Sequence, residues 1–279
     1  MDNFIIFEDQ DLILFNKPAG IVVNQAKSAS GPTIQAWISE RLQASERPPV
    51  QEWSAQLPED FSDEYGSPEE IFEERQGMVH RLDKNTSGIL VFAKNPGSLV
   101  NLLWQFKTRQ VQKRYLCLVH GKMPASRDVI SAPIARSSLD RKKFSVRADG
   151  REASSEYRVL GHWPALDSEK WPELAAHPSY QQGFSLLTVA PKTGRTHQIR
   201  VHLAHLAHPL VGDSTYTGRK RTALDELWCS RHFLHAYELA FTHPRNGQAL
   251  TEQAPLSEDL AEILVSAFGV KDWQSLVEK

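Results

Sequence analysis

His80-Arg81-Leu82-Asp83-Lys84-Asn85-Thr86-Ser87-Gly88 runs directly into Ile89-Leu90-Val91-Phe92-Ala93. A polar, turn-forming run followed at once by five apolar residues reads as a turn feeding a strand. The stretch sets one carboxylate, Asp83, two residues from Arg81 at the mouth of that strand. A carboxylate held there can be kept ionised and aimed, which suits a nucleophile or a general base. Aspartates also hold turns through their side chains, so the local sequence leaves both roles open.

Working outward, strand and helix patterns follow one another without a regular βαβ rhythm. Ile5-Ile6-Phe7 and Leu12-Ile13-Leu14-Phe15 read as an antiparallel hairpin, which Asn16-Lys17-Pro18-Ala19-Gly20 ends. Ile34, Trp37, Ile38 and Leu42 recur at helical spacing, placing an amphipathic helix near residues 32–44, and Leu99, Leu102, Leu103 and Phe106 place another. Residues 113–121 alternate as a strand, with Tyr115 and Cys117 on one face and Leu116 and Leu118 on the other. Further strands are expected over 144–146, 153–160 and 184–190, and Ser257 can cap a helix carrying Leu260, Ile263, Leu264 and Phe268. Residues 45–76, rich in Pro, Glu, Ser and Asp, read as a mobile acidic insertion, and 161–182, with Pro164, Pro172 and Pro178, as a second loop insertion. Many strands with few strongly helical segments predict an α+β fold with a mixed, largely antiparallel central β-sheet flanked by helices and loops. A single domain over 1–279 is expected.

A chain of 279 residues, 41% hydrophobic and 24% charged, is long enough for a globular core. Its two cysteines, Cys117 and Cys229, form no motif, which points to a reducing, cytoplasmic setting. The acidic N-terminus is not a signal peptide, and no run of about 18 apolar residues predicts a membrane span. Residues 58–76 hold eight acids against Arg75 alone, a charge of −7; with a net −2, the rest of the chain carries +5. Positive charge gathers over 107–114 and again over 136–151, an arrangement that can track a polyanion.

A third cluster is Lys192-Thr193-Gly194-Arg195-Thr196-His197-Gln198-Ile199-Arg200-Val201-His202-Leu203-Ala204-His205. It reads as a Thr-Gly turn continuing into a helix on which His197 and Arg200 share a face. The imidazoles at 197, 202, 205 and 208 fit a metal set poorly, because only 202/205 and 205/208 are helix neighbours and no Cys or acid completes the set. Each is expected to be a satisfied structural histidine or to face RNA. There is no GxxxxGK[ST] loop, no GxGxxG after a strand and no Gly-x-Ser-x-Gly elbow, which disfavours nucleotide-hydrolysing, dinucleotide-binding and serine-hydrolase classes.

Taken together, these blocks resemble the signatures of RluA-type pseudouridine synthases. The blocks are His80-Arg81-Leu82-Asp83 with Thr86-Ser87-Gly88, then Lys113-Arg114-Tyr115, then residues 193–200. Asn16 to Gly20, His208-Pro209-Leu210-Val211-Gly212-Asp213, Leu234-His235-Ala236 and Thr242-His243-Pro244 agree, so the resemblance runs from about residue 5 to 256. The chain resembles a member without the small S4-like domain that some relatives carry in front.

The resemblance implies isomerisation of uridine to pseudouridine within structured RNA, ribosomal or transfer. The N1–C1′ bond breaks, the uracil turns over, and C5 bonds to C1′; nothing is oxidised, so no cofactor and no nucleotide are needed. It makes Asp83 the acting carboxylate, whether by adding to C1′ or by abstracting a ribose proton. Arg200 matches the arginine partner of that aspartate, with a surface arginine on phosphate as the alternative. Tyr115 matches the active-site tyrosine, which stacks on the flipped uracil and can serve in proton transfer from C5, with a half-buried strand aromatic as the alternative. Arg81 matches the arginine that fills the space of the flipped nucleotide, or contacts phosphate. Lys17, Lys113, Arg195, His197 and the run Arg141-Lys142-Lys143 are candidate RNA contacts. No metal, no membrane and a monomer complete the expectation; a non-catalytic RNA-binding protein that keeps the fold is the alternative.

Overall fold

The structure, a computed structural model, describes residues 1–24, 33–43, 48–62, 64 and 66–278. In chain order its elements are β1 (Ile5–Glu8), β2 (Leu12–Lys17), α1 (Ile34–Gln43), α2 (Val50–Trp53), α3 (Pro68–Arg75), β3 (Ser87–Ala93), α4 (Pro96–Lys107), β4 (Gln112–His120), β5 (Arg127–Ser131), β6 (Ile134–Arg136), β7 (Phe144–Val146), β8 (Ser154–Trp163), α5 (Pro172–Ala175), β9 (Phe184–Pro191), α6 (Gln198–His205), α7 (Arg219–Asp225), β10 (Leu234–Thr242), β11 (Ala249–Gln253), α8 (Glu258–Phe268) and α9 (Gln274–Glu278). The fold is α+β with a largely antiparallel central sheet, as the sequence predicts. The chain divides into two compact units, residues 1–112 with 236–255 and residues 113–235 with 256–279. Among the described residues no helix is long and apolar enough to cross a membrane.

In the first unit the strand order is β1-β2-β3-β10, with β11 on β10. The expected hairpin forms, and β2 lies antiparallel on β3 with Leu14 opposite Val91 and Phe15 opposite Leu90. All seven residues of β3 are buried, which explains its continuous apolar run. α4 begins at Asn95, whose side chain accepts the Ser98 N–H at 2.8 Å, with Pro96 in the first turn. The turn between β1 and β2 is locked by charge. Asp11, fully buried, accepts from Gln56 at 3.0 Å, Asn95 at 2.8 Å and the Arg245 fork at 2.6 and 3.0 Å. Burial alone would raise its carboxyl, but these bonds and the Arg245 charge hold it below the usual aspartate range. Asp9 pairs with His243 at 2.8 Å. Asp9, Asp11 and His243 bring their ligand-type atoms within 4.8 Å of one another, but these atoms already serve protein partners.

The acid-rich segment is partly helical rather than loop throughout. α2 buries Trp53, and α3 buries Phe72 behind a capping box in which Ser67 and Glu70 satisfy each other's backbone N–H groups. Gly97 is needed where α4 meets this segment, because a Cβ there would lie 2.1 Å from the Trp53 carbonyl oxygen.

In the second unit the strand order is β4-β9-β8-β5, all antiparallel, with β6 and β7 as a separate hairpin. Cys117, Val119, Tyr157, Leu187 and Val189 from the sheet meet Ile199 and Leu203 of α6 in one core cluster. Val201 points instead to Ile134 and Ala153, with Phe144, Val146 and Tyr216 around it. Both cysteines are free and buried. Burial pushes the Cys117 thiol well up, and it pushes Cys229 up to about 12. Residues 161–182, expected as loop, contain the end of β8, α5 and a single 3-10 turn at Pro178–Tyr180. Tyr180 is buried there, donating to Asp225 at 2.7 Å, while Asp225 also meets His120 at 2.9 Å. Ser257 does precede α8, but its hydroxyl accepts from Arg231 at 2.8 Å instead of capping the helix.

Candidate active site

In the first unit, the Asp83 turn is anchored on both sides. Leu82 is buried beside it, whereas Arg81 is exposed and Asp83 half-buried. The Asp83 carbonyl accepts the Thr86 N–H at 3.1 Å, closing the turn. The Lys84 carbonyl accepts the Gly20 N–H at 2.9 Å and the Lys17 ammonium at 2.9 Å. Lys17 has no exposed surface, and its Nζ also donates to the Pro18 carbonyl at 2.8 Å. Lys17, which the sequence made a candidate RNA contact, is here buried with its ammonium on two backbone carbonyls. It is a strut from the end of β2 to the residue after Asp83. Upstream, the His80 ring stacks on Phe106 with centroids 4.7 Å apart, and its Nε2 accepts the Val91 N–H at 3.2 Å. Downstream, Gly88 holds φ at 116°, and a Cβ there would lie 2.1 Å from the Ala236 carbonyl oxygen. Only glycine allows β3 to start so close to β10.

In the second unit, Tyr115 is half-buried on β4 opposite Val189, packed against the core cluster. Lys113, on the same strand, has its ammonium pushed down to about 8 by burial. The 193–200 stretch is not a continuous helix from its Thr-Gly turn. His197 sits just before α6 with φ 55° and ψ 21°, a left-handed conformation, so the helical face expected to join it to Arg200 does not form. The turn is built by Gln198. Its side-chain oxygen accepts from the Thr193 hydroxyl at 2.6 Å and the Arg195 N–H at 3.0 Å. Its amide donates to the Ser154 carbonyl at 2.9 Å and the Ser155 hydroxyl at 3.0 Å. Arg195 gives its Nε to the Glu152 carbonyl at 2.9 Å. His202 places its two ring nitrogens 3.0 Å from the Ser155 hydroxyl and 3.0 Å from the Ala132 carbonyl. That is a satisfied core histidine, and burial lowers its pKa.

Arg200 is 6% exposed. Its Nε and Nη2 each donate to one oxygen of Asp213 at 2.8 Å, a bidentate fork. Asp213 is fully buried and also accepts the Thr215 and Tyr216 N–H groups at 3.0 and 3.3 Å. Burial would raise its carboxyl, but the Arg200 bonds and charge outweigh this and hold it below the aspartate range. The Arg200 guanidinium lies 5.1 Å from the Tyr216 ring centroid. The Tyr216 hydroxyl in turn accepts the Phe144 N–H at 3.0 Å and lies 2.9 Å from His197 Nδ1.

The structure thus places Lys17, Arg81 and Asp83 in the first unit and Lys113, Tyr115, Arg195, His197 and Arg200 in the second. Sequence reasoning assigned nothing to Asp213 or Tyr216. Asp213 ended a recognised block, but spacing alone does not reveal that a buried arginine needs an anion.

A family model described as RNA pseudouridylate synthase matches residues 11–205. The ribosomal large subunit pseudouridine synthase D of Nitrosomonas europaea is 36% identical over 265 residues, covering 93% of this chain and 64% of that protein. The RNA pseudouridine synthase YlyB of Bacillus subtilis, described as uncharacterized, is 33% identical, covering 95% of this chain and 72% of that protein. A solved human structure, RNA Pseudouridylate Synthase Domain Containing 1, shares the fold with a TM-score of 0.62 at 23% identity, covering 98% of this chain and 92% of that one. The chain belongs to the RNA pseudouridine synthase family, whose members are isomerases. It spans about two thirds of the length of these two bacterial relatives.

Proposed function

We propose that the protein isomerises uridine to pseudouridine in RNA without a cofactor, as a monomer in the cytoplasm, with its two units acting as one catalytic domain. Asp83 is the carboxylate that acts on the reacting nucleoside, Arg200 its cationic partner, and Tyr115 the aromatic that stacks on uracil and serves in removing the C5 proton. Isomerisation is balanced within the substrate: C5 exchanges its proton for the bond to C1′, and N1 gains a proton. One aimed carboxylate therefore suffices, by attack on C1′ or by taking a ribose proton. The observation that carries the reading is the Asp83 turn. Lys17 and Gly20 hold the backbone after it, and Thr86 holds its own carbonyl, so a half-buried carboxylate is presented on a fixed loop.

The names of the relatives favour ribosomal RNA of the large subunit as the first substrate to test. Arg81, Lys113, Arg195, His197 and the 141–143 run are its proposed contacts. The test is pseudouridine mapping of cellular RNA with and without the protein, joined to Asp83→Asn. That variant is expected to lose all turnover and keep RNA affinity within a few-fold. Continued pseudouridine formation by it sinks the assignment. RNA retention without conversion by the parent protein supports the binding-protein alternative.

A further inference from the structure

α7 carries Arg219-Lys220-Arg221, a basic run outside the family-like blocks and outside the RNA contacts proposed above. Arg219 and Lys220 are exposed, and Arg221 is half-buried. Elsewhere in the second unit arginines are answered by acids: Arg127 by Glu156, Arg147 by Asp149 and Arg231 by Asp259. Among the described residues the three side chains of α7 form no ion pair, hydrogen bond or ring contact. The acid spaced to answer Arg221 is Asp225, four residues on. It is fully buried, and its carboxylate is spent on the Tyr180 hydroxyl at 2.7 Å, His120 at 2.9 Å and the Gly212 N–H at 3.0 Å. The bonds that turn this acid inward also fasten α7 to the core, so the cations stand on a fixed helix. Three adjacent like charges repel one another, and no paired carboxylate relieves them.

The start of α7 is also tied to the basic β6–β7 hairpin of the same unit. Tyr216, three residues before Arg219, accepts the Phe144 N–H at 3.0 Å, and Phe144 follows Lys143. The turn between Tyr216 and α7 is stiffened by the Thr217 hydroxyl, which donates to the Leu210 carbonyl at 3.2 Å. Chain reach then puts the runs 141–143 and 219–221 within roughly 25 Å of each other. At about 3.4 Å per nucleotide of one strand, that spans about seven nucleotides.

We propose that Arg219, Lys220 and Arg221 form a phosphate-binding surface for RNA, one track with the 141–143 run across the second unit. This rests on the reading that the protein acts on RNA. A phosphodiester backbone fits because its charges recur along a strand, which suits two basic runs joined by a fixed turn. A helix turns about 100° per residue, so three consecutive cations fan out and meet neighbouring phosphates, and they do not line up along a row of bases. The surface therefore adds affinity and positions the RNA without choosing the uridine.

The probe is a large-subunit ribosomal RNA transcript, titrated by filter binding over a range of salt, with thermal midpoint and pseudouridine formation measured alongside. Arg219→Gln, Lys220→Gln and Arg221→Gln combined are expected to weaken binding at least about tenfold and to lower the slope of log affinity against log salt by about two to three. A charge-matched control, Lys122→Gln with Lys170→Gln and Lys271→Gln, removes three exposed cations elsewhere in the same unit. It should stay within about threefold of the parent, because scattered cations share no track. The α7 variant should melt at or above the parental temperature, since mutual repulsion is removed. Lys220→Gln alone carries the test if the triple variant does not fold, with a slope lower by about one. Equal losses in the α7 variant and the control overturn the surface. So does parental affinity with an unchanged slope, which leaves α7 to an acidic protein. A parent that neither retains nor converts the transcript overturns the RNA reading itself, which separates the two failures.

Discussion

At the residue scale, Lys17 shows why type and position in a motif do not settle a role. A lysine beside Pro18 and Gly20 in a chain of this family suggests a phosphate contact. The structure leaves its ammonium with no route to solvent and gives it carbonyls at 2.8 and 2.9 Å. Lys17→Met should therefore lower stability by about 1–3 kcal/mol, the cost of leaving buried carbonyls short of donors. It should also slow turnover by loosening the residue after Asp83. RNA Kd should stay near parental, and a loss of affinity with an unchanged melting temperature would restore the phosphate role. Asp213 is the complementary case: it ended a recognised block, but only its burial against Arg200 shows that it answers a specific cation.

At the element scale, sequence pattern read the β1–β2 hairpin, α1, α4, β4 and β9 well: the helices show apolar residues at helical spacing, while β2, β4 and β9 carry apolar runs that are buried on both faces over much of their length. It failed where local chemistry overrides the repeat. Gln198 satisfies the 193–195 turn so fully that the chain enters α6 only at Gln198, leaving His197 left-handed. The acidic segment hid α2 and α3 because composition outweighed single anchors such as Trp53 and Phe72, although the Ser67-x-x-Glu70 capping box was readable. The β1–β2 turn also predicts an acid response. The Asp11 carboxyl is lowered from its ordinary 3.8, so the unfolded chain binds the proton more readily. Its stabilising contribution is complete above that value and is lost as pH falls through the lower folded-state value. Chemical denaturation across that acid window should show a shallower pH dependence for Asp11→Asn than for the parent, and equal slopes would remove Asp11 from the acid response.

At the scale of the whole molecule, what pattern reading could not supply is long-range return. Residues 236–255 come back to the first unit after residues 113–235 of the second unit, residues 256–279 then return to the second unit, and no local signal announces either crossing. Charge was more readable: the acids of 58–76 stand apart from a remainder of +5. RNA affinity should consequently fall steeply and linearly on a log–log plot against salt, by roughly 0.7–0.9 log units per log unit of salt for each phosphate neutralised. A flat response in filter-binding titrations would show that phosphate contacts do not dominate. Neutralising the exposed Glu69, Glu73 and Glu74 with glutamine should raise affinity only if α3 faces the RNA.

The two sealed thiols turn the native protein into its own opening gauge. Neither sulfur should react with an alkylating reagent while the fold is closed, since burial suppresses both contact and thiolate formation. Cys117 lies on the strand that carries Tyr115. The rate at which it is labelled therefore times how often that strand breathes, independently of any RNA assay.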